Sequence, residues 1–108
     1  ASANGIIYIK PAISDNSQFE QFKQKYSEKY SKSPDFIAAQ AYDGFRLMAV
    51  ALGKCGGDRD TTCIKNSLYS IKDFDAVIGS KISFDINGDI QNRALDVMTI
   101  KDGQFVKL

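Results

Sequence analysis

The segment PDFIAAQAYDGFRLMAVAL, residues 34–52, constrains this chain more than any other. Ser33-Pro34-Asp35 is a helix-start signal: Ser33 is the expected N-cap, Pro34 the first helical residue, and Asp35 an acid in the first turn. Gly53 is the expected stop. Ile37, Ala38, Ala41, Tyr42, Phe45, Met48, Ala49 and Leu52 cover most of the circumference, interrupted only by Gln40, Asp43, Gly44 and Arg46. A helix apolar nearly all round is either buried or turned toward a partner on a second side. The rest of the chain must therefore wrap this helix or leave one side of it to something else.

The flanking patterns predict a mixed α/β chain. Gly5 to Lys10 is β-branched and apolar, which predicts a buried strand ended by Pro11. After a loop over Ala12–Asn16, Ser17-Gln18-Phe19-Glu20 reads as a capping box. Phe19, Phe22, Tyr26 and Tyr30 then form one helical stripe, expected in the core and with no cofactor role. A shorter helix is expected over about Thr61 to Ile71, carrying Ile64, Leu68 and Ile71 on one side. The period then changes to that of strands: Lys81 to Phe84, a turn at Asp85–Asp89, a strand over Ala94 to Ile100, a tight turn at Asp102-Gly103 and a last strand Gln104 to Leu108. The expected order is β–α–α–α–β–β–β.

Composition narrows the function classes. Hydrophobic residues at 44% and charged residues at 25% are ordinary for one folded domain and argue against disorder. A net charge of +1 with no basic block gives nucleic-acid binding no electrostatic support. Lys23, Lys25, Lys29 and Lys32 alternate with Glu20 and Glu28, the pattern of a solvated helix face. The run Met48 to Gly53 is too short to cross a bilayer. No basic n-region followed by an apolar h-region opens the chain, which suits either a cytosolic protein or a processed or truncated secreted one.

The absence of histidine excludes a Ser-His-Asp or Cys-His nucleophile within this chain. The acids cluster in turns, where Asp is favoured for backbone reasons, so no enzyme activity and no cofactor are expected. Asp85, Asn87 and Asp89 mimic a calcium loop, but Gly88 and Asp96 stand at the wrong positions, and a hairpin turn is expected instead of a metal site. Cys55 and Cys63 flank the loop GGDRDTT, whose length and flexibility allow a disulfide, with two unpaired thiols as the alternative. A disulfide implies an oxidising compartment.

Taken in order, GIIYIKPA (5–12), residues 34–52, KISFDINGDI (81–90) and MTIKDGQFVKL (98–108) resemble the C-terminal third of the type I periplasmic binding proteins. The branch they resemble is the leucine/isoleucine/valine-binding family that serves ABC transporters. The resemblance implies a C-terminal fragment of a two-lobed α/β fold, with three helices, mixed strands and β-hairpins. Residues 1–12 would be a crossover strand, 17–71 the helices of one lobe, and 81–108 the returning strands. Lys10-Pro11, Ser80 to Ile82 and Ala94 to Val97 would lie by the hinge or cleft.

The family's long helix commonly reads P-D-x-Y-A-A-Q-A-Y-D-A, its first aromatic touching ligand. Here position 37 is Ile, with Phe36 beside it, a departure from that pattern; Phe36, Ile37 and Gln40, on the first turn of the helix or just beyond it, are the expected ligand-binding residues. The helix N-terminus, with its free N–H groups, is the expected place for an anionic ligand group. The implied partners are an amino-acid-like small molecule and an ABC permease, in a periplasmic or extracellular setting. A fragment of such a fold would expose apolar surface and self-associate. Two further readings stay open: a sensory ligand-binding domain of a receptor, and a self-contained α/β interaction module stapled by Cys55–Cys63.

Overall fold

A computed structural model describes residues 3–14 and 16–108. Its elements are β1 (Ile7–Pro11), α1 (Ser17–Tyr30), α2 (Phe36–Lys54), α3 (Thr61–Ser70), β2 (Phe74–Asp75), β3 (Lys81–Ile82), β4 (Leu95–Lys101) and β5 (Gln104–Lys107). Strands β1, β4 and β5 form one antiparallel sheet in the order β1-β4-β5, and β2 and β3 pair separately. The expected mixed α/β order holds, with one short strand, β2, added before β3. Asp15, inside the expected loop Ala12–Asn16, lies outside the described residues.

Each described helix begins on an acid or amide side chain, which in α1 and α2 stands in place of the serine expected. Asn16 caps α1, accepting a hydrogen bond from the Phe19 amide at 2.8 Å, so the capping box on Ser17 is not formed. Asp35 caps α2 in the same way through the Ala38 amide at 2.8 Å, which moves the start two residues past Pro34. In both cases a carbonyl-type side-chain oxygen satisfies a first-turn N–H that would otherwise be orphaned. Asp60 caps α3 through Thr62 N.

Gly53 does not stop α2. The helix continues through Lys54, and the chain turns at Gly56 and Gly57, where the Gly57 amide returns to the Leu52 carbonyl at 2.9 Å. Both glycines have positive φ, the conformation this reversal needs. Immediately beyond, Cys55 and Cys63 are joined as a disulfide that ties the end of α2 to the start of α3.

Pro11 is the last residue of β1 instead of its terminator, paired with Leu95. Because β1 is an edge strand, a residue without an N–H is tolerated there. The strand expected over Lys81 to Phe84 shortens to Lys81–Ile82, and Phe84 makes an isolated bridge to Ile90 across the turn. In that turn the Asp85 side chain accepts from the Asn87 and Asp89 amides, which is hairpin geometry. Asp102-Gly103 closes the β4–β5 hairpin with positive φ at both residues, as an aspartate-glycine pair allows.

The core lies in the helical part. Phe19 and Phe22 of α1, Ala39 and Leu47 of α2, Ile71, the segment Ala76–Val77–Ile78, and Ile82 pack as one cluster. The three-stranded sheet contributes none of these residues. Its register puts Ile7, Ile9, Leu95, Val97 and Val106 on one face, and all five are exposed. The other face carries buried Met98 and an edge-on contact between Tyr8 and Phe105, with centroids 6.2 Å apart. The molecule is correspondingly elongated. Its radius of gyration is 16.7 Å, where a compact chain of this length gives about 13 Å.

Candidate functional site

Helix α2 presents two different sides. Ala39, Asp43, Leu47 and Ala51, at intervals of four, form the buried stripe. Almost opposite, Ile37, Phe45 and Met48 are exposed, Phe45 by 75%. The sequence reading of a helix apolar nearly all round thus resolves into one covered side and one open side. The expected ligand-binding residues sit at the start of this helix. Phe36 is half-buried, Ile37 is exposed, and Gln40, one turn on, is half-buried.

The Gln40 side chain has a further property. Its Nε2 is shielded from solvent and has no hydrogen-bond partner among the described residues. Buried amide donors are almost always paired, because leaving one unpaired costs about 1–3 kcal/mol. Gln40 thus carries a buried donor with no partner among the described residues, beside an exposed Ile37. The helix terminus itself is less open than the sequence reading expected. Asp35 already occupies the Ala38 amide, and its carboxylate places negative charge where an anionic ligand group would have to sit.

Asp43 is the residue that sequence reasoning missed. It was read as an interruption in an apolar helix, yet it is 2% exposed and holds three groups. Its carboxylate accepts the Val77 amide at 2.9 Å and the Ile78 amide at 3.2 Å. Arg46 Nη1 donates to it at 3.2 Å and also to the Asp75 carbonyl at 3.0 Å. A buried carboxylate is tolerated when its lone pairs are filled this way. The result is a clip from α2 to the turn between β2 and β3.

That turn is held from its other side too. The Ser14 amide donates to the Ile78 carbonyl at 3.1 Å. Gly79 has a φ of +86°, and a Cβ there would fall 2.5 Å from Ser14 Cβ and 2.6 Å from Asn16 Nδ2. Only glycine permits that approach. The chain leaving β1 is thus fastened to the same turn that Asp43 fastens to α2.

Of the segments expected near a hinge, Lys10-Pro11 and the start of β4 are brought together: Lys10 pairs with Asp96 and Pro11 with Leu95. Ser80 to Ile82 lies elsewhere, in the β2–β3 turn and β3, beside a cavity of about 210 Å³ that also touches Asn16 and Gly79. Two connections, one after β1 and one before β4, therefore join the sheet to the helical part.

Comparison with known proteins gives a consistent result. A family model described as periplasmic binding protein matches residues 1–104. Among solved structures, the leucine binding protein LivK of Thermotoga maritima is 25% identical with a TM-score of 0.74. An ABC transporter substrate-binding protein of Desulfitobacterium hafniense, in complex with Leu, is 25% identical with a TM-score of 0.79. The branched-chain amino acid transporter substrate binding protein LivJ of Streptococcus pneumoniae, in complex with isoleucine, is 29% identical with a TM-score of 0.73. Each likeness covers 98% of this chain, and 30%, 32% and 31% of those proteins respectively. The chain thus spans about a third of their length. A comparison with curated protein sequences gives no match.

Proposed function

This chain belongs to the periplasmic binding protein family, and from that premise we propose that it is part of the substrate-binding component of an ABC transporter for branched-chain or related amino acids. The observation that carries the reading is the agreement of a family match over residues 1–104 with structural likeness over 98% of the chain to proteins named for leucine and isoleucine binding or transport. The fold is that of one portion of a type I periplasmic binding protein.

In this reading the chain supplies one wall of a cleft and two of the strands that join its lobes. Residues 1–12 cross between lobes, 17–71 build helices of one lobe, and 81–108 return. The site is formed by Phe36, Ile37 and Gln40. Ile37 offers exposed apolar surface to an aliphatic side chain, and Gln40 Nε2 offers an unspent donor to a carboxylate or carbonyl oxygen. Closure of the two lobes over the ligand excludes water and presents the closed form to a permease. The binding role involves no bond making, in keeping with a family of binding proteins. The Cys55–Cys63 disulfide fits a periplasmic or extracellular location.

Uptake of labelled leucine, isoleucine and valine by cells of the source organism tests this function. Deleting the gene is expected to abolish the high-affinity component for at least one of them, and the intact gene to restore it. Unchanged uptake of all three after deletion would remove branched-chain amino acids as the substrate class.

A further inference from the structure

A second cavity lies between α1 and α2, on the side of α2 that carries Ala38, Tyr42 and Arg46, with a volume of about 540 Å³. That is within the range of small-molecule sites, roughly 300–1,000 Å³. Its wall is aromatic. Phe22, Tyr26 and Tyr30 descend one side of α1, and Tyr42 of α2 closes on Phe22 with centroids 5.0 Å apart. Tyr30 is 52% exposed and Tyr42 45%. The aromatic stripe that its spacing predicts to be core is therefore core at Phe19 and Phe22, half-buried against it at Tyr26, and open at Tyr30.

The charged side chains lining this wall are cationic, and the buried carboxylate of Asp43 lies behind one of them, Arg46. Lys25, Lys29 and Arg46 line the cavity, and no acidic residue does. Arg46 is the informative one. Both hydrogen bonds described for it, to Asp43 and to the Asp75 carbonyl, use Nη1. Its guanidinium is also packed over the rings of Phe74, at 4.7 Å, and Tyr42, at 5.7 Å. The group is thus fixed in place at the cavity's edge before any ligand arrives, and its remaining N–H groups are not spent on those two acceptors. A cluster of four aromatic rings elsewhere serves as a cage for organic cations. Here Lys25 and Lys29, with Arg46 already paired to Asp43, leave the lining net positive and oppose a cationic guest. Apolar planar surface beneath and fixed positive charge at the rim suit a planar anion.

We propose that the α1–α2 cavity is a binding site for an aromatic carboxylate, its ring against Tyr26, Tyr30 and Tyr42 and its carboxylate on Arg46. The site is separate from the amino-acid cleft, because Ala38, Tyr42 and Arg46 lie on another side of α2 from Ile37 and Gln40. It does not rest on the transport reading.

The test is a titration of the full-length protein with benzoate, followed by amide and tyrosine-ring NMR shifts, with benzyl alcohol and phenyltrimethylammonium as neutral and cationic probes. Benzoate is expected to shift Tyr26, Tyr30 and Tyr42 saturably, and to bind about tenfold more tightly than benzyl alcohol. Tyr30→Ala and the double change Lys25→Gln with Lys29→Gln are expected each to weaken benzoate severalfold. These variants leave the Asp43 clip intact, so they are readable even if Arg46→Gln impairs folding. Saturating leucine is expected to leave the benzoate shifts unchanged. The proposal is overturned by the absence of saturable shifts, by equal binding of the neutral probe, by preference for the cation, by indifference to Tyr30→Ala, or by displacement of benzoate by leucine.

Discussion

Asp43 stabilises the helical part through partners that lie far along the chain, Val77 and Ile78. Replacing it by Ala leaves two buried amides without an acceptor and Arg46 without its carboxylate. At about 1–3 kcal/mol for each unsatisfied buried group, Asp43→Ala is expected to lose about 3 kcal/mol in urea denaturation. Glu20→Ala removes only an exposed pair with Lys23, where solvent screening leaves about 0.5 kcal/mol or less. Equal effects of the two substitutions would show that the clip carries no special stability. Asp43 was visible in the sequence only as an acid on the buried stripe of an apolar helix, three residues before Arg46. Its role was not legible, because the groups it holds are backbone amides, which every residue type shares. Gln40 differs: its place near the start of the helix singled it out in the sequence, and in the structure its Nε2 is shielded with no partner among the described residues.

The helices were the most legible elements, since their periodicity spans several turns. Their ends were not. At the start of α2, Ser33 was the expected cap and Asp35 a first-turn acid, but the carboxylate that reaches the Ala38 amide makes Asp35 the cap. At its end, the glycine pair Gly56-Gly57 supplied the reversal that Gly53 did not. The short strands β2 and β3 were hardest to read, because two-residue strands leave no alternation to detect. The disulfide between α2 and α3 closes a loop with a sequence separation of 8. Chain entropy assigns such a loop about 2–3 kcal/mol, so reduction is expected to lower the melting temperature by about 10–15 °C. Thermal melts with and without a reductant measure this directly. Coincident melts would mean that the α2–α3 junction is held by packing alone.

At the scale of the whole molecule, the sheet and the helical part are joined by two connections and share no core cluster. Ile7, Ile9, Leu95, Val97 and Val106 face outward together, as do Ile37, Phe45 and Met48 on α2. An apolar face of this kind marks a surface meant to be covered. The order of elements across the chain was legible because each has its own period. That both faces stand open was not, since periodicity records which residues are apolar and not what covers them. Coverage of about a third of each relative's length agrees with this shape. In the proposed account, the complete protein closes two lobes around an amino acid held partly by Ile37 and Gln40. Calorimetric titration of leucine and isoleucine into the protein made from its complete reading frame tests that claim most directly. The account predicts saturable one-to-one binding of at least one of them, weakened roughly tenfold in Gln40→Ala by loss of a hydrogen bond worth about 1.4 kcal/mol. Absence of binding by either amino acid, or identical affinity in the variant, would contradict it.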